Sequence, residues 1–195
     1  MSGWLMRSVL LAGLALSILS AGCDYAVPST ANDAKYLPTL PYDPTIGFDS
    51  YSPTIDVRTE AGQRGQAPYG IEVLGLYAKI NKSTGATVAY LQWSEAYTDS
   101  NWRFYNRAST DKAKPLSFDQ VDRTVGRCGA GTCVYSETYN IMLPLADLEA
   151  GTTDGLRLKI YGKSGEERIV VLPGFTIRPF MAKVAEAQAM RAKRS

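Results

Sequence analysis

The stretch Ile71 to Trp93, IEVLGLYAKINKSTGATVAYLQW, decides the fold. Ile71 to Ile80 is rich in β-branched and aromatic residues, and Thr87 to Trp93 is too. Between them Asn81-Lys82-Ser83-Thr84-Gly85 is a turn signal, so the two runs predict a β-hairpin.

Working outward, the same signature repeats. Upstream, Thr54 to Arg58 alternates with period two, and GQRGQAPYG (Gly62 to Gly70) reads as a loop. Downstream, SEAYTDSN (Ser94 to Asn101) reads as a second loop and Trp102 to Arg107 as a strand. Leu116 to Val125 and Val134 to Leu143 form a further hairpin, and PLADLEAGTTDG has room for one short helical turn. Leu156 to Tyr161, the turn GKSGEE and Arg168 to Leu172 form another hairpin. GKSG lacks the spacing of a phosphate loop and lies between strands. No helical pattern separates the strands, which excludes parallel βαβ units. The reading is mainly β: an antiparallel sandwich or barrel of about eight strands over residues 53–178. A C-terminal helix and basic tail follow over 179–195, with Pro179 in the helix's first turn and Arg191, Lys193 and Arg194 at its negative end.

The chain has 195 residues, with 21 Lys and Arg against 19 Asp and Glu. That near-neutral balance leaves no basic footprint for nucleic acid. Histidine is absent, which excludes Ser-His-Asp and Cys-His catalysis and removes the commonest metal ligand. No metal or cofactor is expected, and the expectation is of a chain that is not an enzyme. Paired acids could still hydrolyse glycosides across a cleft. Glu95, Asp99, Asp119, Asp122 and Glu137 are the candidates, and their spacing selects no pair. Glu137 shares a strand face with Tyr135 and Tyr139, where burial would demand an arginine such as Arg123 or Arg127.

Residues 1–22, MSGWLMRSVLLAGLALSILSAG, place Arg7 before an apolar stretch too short to span a bilayer and end in small residues. Cys23 follows directly. This resembles the lipobox signal peptide of bacterial lipoprotein precursors, although Leu19 lies four residues before the cysteine and Ser20 holds the usual Leu position. The resemblance implies cleavage before Cys23, a diacylglycerol on its thiol and acylation of its new amine, in a chain that faces the periplasm. Asp24 in the next position resembles an inner-membrane retention signal. The other reading of the leader is an ordinary secreted protein with a free Cys23 thiol. More than one acyl chain, at about 0.8 kcal/mol per buried methylene, makes a stable anchor to membrane lipid. The proline-punctuated residues 23–52 then read as a tether, with Tyr36, Leu37, Leu40, Tyr42, Ile46 and Phe48 able to dock on a partner or on the domain itself.

The remaining cysteines, Cys128 and Cys133, enclose Gly-Ala-Gly-Thr. An oxidising compartment favours a disulfide between them, worth about 2 kcal/mol for so short a loop. A redox pair is the competing reading, with the wrong spacing for a thioredoxin-like site. The run YLQWSEAYTDSNWRFY concentrates aromatics, and Trp93, Tyr97, Trp102 and Tyr105 are the candidate ligand or partner surface, Tyr97 being the one expected outside. They could instead fill the core. Two function classes follow: a lipid-anchored interaction or assembly subunit bound to an envelope protein, and a glycan- or peptidoglycan-binding module.

Overall fold

The computed structural model describes residues 43–59, 62–66 and 70–193. The expected leader, Cys23 and most of the expected tether lie outside the described residues.

Two antiparallel sheets make a sandwich-like body that does not close into a barrel. The larger, 7-stranded sheet runs β1 (Thr45–Phe48), β2 (Thr54–Arg58), β4 (Gly70–Asn81), β5 (Thr87–Asp99), β9 (Thr132–Leu143), β8 (Phe118–Gly129), and β3 (Gly62–Gln66) pairs with the first half of β4. The smaller, 4-stranded sheet runs β11 (Glu167–Leu172), β10 (Leu156–Gly162), β6 (Tyr105–Thr110), β7 (Pro115–Leu116). Helices α1 (Leu145–Asp154) and α2 (Gly174–Ala192) accompany the sheets among the described residues.

The central hairpin forms as its sequence predicts. Asn81 turns the chain by accepting the Ser83 and Thr84 N–H groups on its side-chain oxygen at 3.0 and 2.9 Å. Alternation then sorts each strand. Leu76, Ala78 and Ile80 of β4, Ala89, Leu91 and Trp93 of β5, and Tyr139, Ile141 and Leu143 of β9 enter one core. The smaller sheet covers part of that inner face with Leu158, Ile160 and Val170, and α2 contributes Ile177, Phe180, Val184 and Ala187. Arg191 pins the end of α2 to the hairpin turn, donating to the carbonyls of Lys82 at 3.0 Å and Ser83 at 2.6 Å.

Several boundaries differ from the sequence reading. The expected loop Gly62 to Gly70 contains β3, because the long β4 has an unpaired half that recruits it. The expected tether ends early, since Thr45–Phe48 pairs with β2. The strand expected at Trp102 begins at Tyr105. The short helical turn is a 10-residue helix, stopped by Gly155 at φ 86°, whose N–H reaches the Gly151 carbonyl. The C-terminal helix starts at Gly174, so Pro179 lies inside it rather than in its first turn. The bond that Pro179 forgoes is the one to Phe175, in the opening turn, where losing a rung disturbs the helix least.

Candidate functional site

The register of the larger sheet places three acids in one row. Glu72 of β4 pairs with Glu95 of β5, and Glu95 pairs with Glu137 of β9. Arg123 of β8 extends the row beyond Glu137. All three glutamates are on the inner face and buried, Glu137 completely. Like charges directly opposite destabilise a sheet, and a buried charge is costly unless matched.

The match comes from both sheets. Glu95 Oε1 lies 2.8 Å from Arg168 Nε of β11 and 2.9 Å from Arg103 Nη1, the latter an ion pair off the hydrogen-bond line. Glu95 Oε2 accepts the Tyr105 hydroxyl at 2.5 Å. Glu137 Oε1 accepts the Tyr97 hydroxyl at 2.5 Å and the Phe104 N–H at 3.1 Å. Glu137 Oε2 accepts Arg123 Nε at 3.0 Å and the Tyr139 hydroxyl. Trp93 Nε1 donates to Glu72 Oε1 at 2.5 Å. Phe104 adopts φ 49°, a left-handed conformation rare for an aromatic residue, and that bend carries the N–H donating to Glu137.

The electrostatics follow from this packing. Burial, reinforced by the hydrogen bond to Glu137, pushes the Tyr97 and Tyr139 hydroxyls well above their ordinary pKa. Burial and the charge of Glu95 do the same to Tyr105. Burial works against the Arg103 and Arg123 cations, but Glu95 and Tyr105 around the first, and Tyr139 and Glu137 around the second, outweigh it and raise both.

Glu95 and Glu137 face each other across adjacent strands, the kind of proximity a retaining glycosidase uses. Their oxygens, however, are engaged by arginine, tyrosine and backbone donors from five strands and the segment before β6. What the arrangement does is bolt the sheets together through Glu95, Arg168 and Tyr105. The other acids do not join it as a second catalytic pair: Asp99 lies 3.7 Å from Arg103, and Asp119 and Asp122 are exposed on β8. A groove of about 320 Å³ lined by Thr87 to Ala89, Pro115 to Ser117 and Met142 to Leu145 contains no charged side chain. Among the described residues no group of acids or cysteines could hold a metal ion.

Of the two readings of the aromatic run, core filling holds for Trp93, Tyr97 and Tyr105, and the expected exposure of Tyr97 is corrected. Trp93, Tyr97 and Tyr105 are 0%, 1% and 1% exposed. The supposed loop SEAYTDSN continues β5 as far as Asp99, and period-two alternation carries Tyr97 inward with Glu95 and Trp93. Trp102 alone of the four is half-buried, packed 4.5 Å from the Tyr135 ring. The row member missed in the sequence is Glu72. Its signal was Glu72 standing in phase with Leu74, Leu76 and Ala78. Cys128 and Cys133 are disulfide-bonded. Cys23 lies outside the described residues.

The opposite face of the larger sheet carries a different aromatic pair. Tyr77 and Tyr90 stack at 5.2 Å with their planes 9° apart. Burial, then Tyr77 and Asp56, raise the Tyr90 pKa. Along β5 and β9 this face presents only uncharged residues, with Ser94 bonded to Thr138 at 2.8 Å and Gln92 to Asn140 at 3.4 Å. Comparison with protein-family models, with curated proteins and with solved structures finds no match.

Proposed function

We propose that this chain is an envelope lipoprotein, anchored to membrane lipid through Cys23 and facing the periplasm, whose β-domain serves as a non-enzymatic interaction or assembly subunit. The observation that carries this reading is the contrast between the two faces of the larger sheet. The inner face consumes its acids, arginines and tyrosines on one another. The outer face keeps Tyr77 of β4 half-buried, and along β5 and β9 it keeps Tyr90, Gln92, Ser94, Thr138 and Asn140 half-buried and free of formal charge. Charge depletion and tyrosine enrichment are what the core of a protein interface uses, because such a surface is cheap to desolvate.

The leader ending at Cys23 supplies the membrane location. A tether would keep the domain within reach of one envelope partner. The test is a photo-reactive residue at position 138, on the outer face, in cells expressing the natural and Cys23→Ser forms. One envelope protein should cross-link in the natural form and be lost in Cys23→Ser. Equal capture in both forms would overturn the tethered reading, and no capture at all would overturn the outer face as its surface.

A second reading, a glycan-binding module, is favoured by the stacked Tyr77 and Tyr90 beside the amides of Gln92 and Asn140. It predicts that soluble peptidoglycan fragments perturb tyrosine rather than Trp93 signals.

A further inference from the structure

We infer that β8 is a dimer edge, along which two copies of this chain pair antiparallel about a two-fold axis at Arg123, joining their larger sheets into one. The inference does not depend on whether Cys23 carries lipid.

β8 ends the strand order of the larger sheet, and among the described residues nothing pairs with its far side. Edge strands are commonly kept short or marked with lysine or proline to prevent pairing. β8 has 12 residues and neither lysine nor proline. Apart from Phe118 and Arg123, every residue in it is exposed, Val121 at 50% and Val125 at 56%.

The strand is complementary to its own reverse. Pairing about Arg123 sets Asp119 opposite Arg127 of the second copy, Val121 opposite its Val125, and Asp122 opposite its Thr124. Opposed residues in antiparallel strands must share a face. Asp119 pairs with Asn140, and Gly126 and Arg127 form a bulge against Val134, so Asp119 and Arg127 both belong to the outer face. Val125 pairs with Tyr135 on the inner face, and Val121 is the residue inserted beside the inward pair Gln120 and Tyr139. β8 carries bulges at Val121 and after Val125. Bulges ordinarily break an edge. Here the two lie on either side of the axis: Val121 meets Val125, and the one position where the faces differ sets Gln120 opposite Gly126, which has no side chain to place.

Two-fold symmetry makes every contact off the axis twice. The pair thus gains two Asp–Arg contacts and two Val–Val contacts. The one like-charge contact, Arg123 with its counterpart, is softened because each guanidinium sits 3.0 Å from its own Glu137.

The test is sedimentation equilibrium of the purified full chain in density-matched detergent, with circular dichroism checking that each variant folds. The natural chain should sediment at twice its own mass. Asp119→Arg and Arg127→Asp alone should each weaken association roughly tenfold, since each replaces two attractions with two repulsions. The two substitutions together should restore it with the charges exchanged. A monomer at all concentrations would overturn the inference. So would a dimer indifferent to both single changes, or single changes that the double variant fails to rescue.

Discussion

Glu95 and Glu137 stand directly opposite each other on adjacent strands, both on the inner face, yet each is held by a different set of partners. Glu95 reaches toward the smaller sheet, to Arg168 and Tyr105. Glu137 reaches along its own sheet, to Arg123, Tyr97 and Tyr139. Two acids that would repel as neighbours are thereby turned into anchors for separate parts of the fold. The design has a cost, because removing one partner leaves the other's charge in the interior.

Glu137→Gln should therefore lower stability by about 3 kcal/mol, since it keeps the shape but leaves Arg123 and two tyrosine hydroxyls facing a weaker acceptor. Arg123 is partly exposed, with 24% of its side chain accessible, so Arg123→Met should cost less. Glu137→Gln with Arg123→Met should cost less than the two separately, because no charge is then stranded. Urea unfolding of the four proteins measures the coupling. Strict additivity would mean that the pair contributes nothing as a pair.

The same network sets an alkaline limit. Tyr97, Tyr105 and Tyr139 have pKa values raised above the ordinary 10.0 in the folded chain. Above that ordinary value the unfolded chain releases protons that the folded chain still holds. The unfolded state then binds fewer protons, so stability falls as pH rises, by up to about 1.4 kcal/mol per pH unit for each tyrosine. Below pH 9 the tyrosines should leave stability flat. Ultraviolet titration should show these three ionising together with unfolding. Their independent ionisation near pH 10 in a chain still folded would contradict the burial that holds them.

Much of this was legible in the sequence, and the failures fall where a polar strand or a cross-strand register decides. The hairpins at Asn81 to Gly85 and at GKSGEE, the disulfide loop, and the need of Glu137 for an arginine follow from local chemistry and period-two alternation, while the choice of Arg123 over Arg127 comes from register. The inward turn of Tyr97 was missed because Ser94 to Asn101 is polar enough to resemble a loop. A strand that buries glutamate and tyrosine together lacks the apolar alternation that marks strands elsewhere. Glu72 escaped for another reason: its strand was recognised, but nothing within that strand marks the acid as paired. The row it shares with Glu95 and Glu137 exists only through register, which joins positions far apart in the chain. The outer-face stack of Tyr77 on Tyr90 is likewise a cross-strand fact.

Two glycines separate backbone strain from crowding. Gly155 has φ 86°, and a Cβ there would sit 2.6 Å from the Leu172 carbonyl oxygen. Gly165 has φ 97° with nothing within 4 Å of such a Cβ. Gly155→Ala should cost about 2 to 4 kcal/mol, combining an unfavourable backbone with a backbone clash. Gly165→Ala should cost about 1 kcal/mol, from the backbone alone. Thermal unfolding of the two variants gives the comparison, and equal losses would mean that the α1 to β10 junction yields where it is expected to resist.

The disulfide should act locally. Cys128 and Cys133 face each other near the tip of the β8–β9 hairpin, where residues 124–132 are all exposed and none joins the core. The chain-entropy gain for so short a loop is about 2 kcal/mol. That gain is felt by the opening that frees the loop, and here the tip can open without unfolding the sheets behind it. Cys128→Ser with Cys133→Ser should accordingly speed hydrogen exchange across residues 125–135 while leaving Leu91, Trp93 and Ile141 protected. A thiol reagent should add mass at these two positions in the natural chain only after reduction. A loss of protection at Leu91 equal to that at Val134 would mean that the hairpin tip and the core unfold as one unit, which would make the tip part of the stabilising framework.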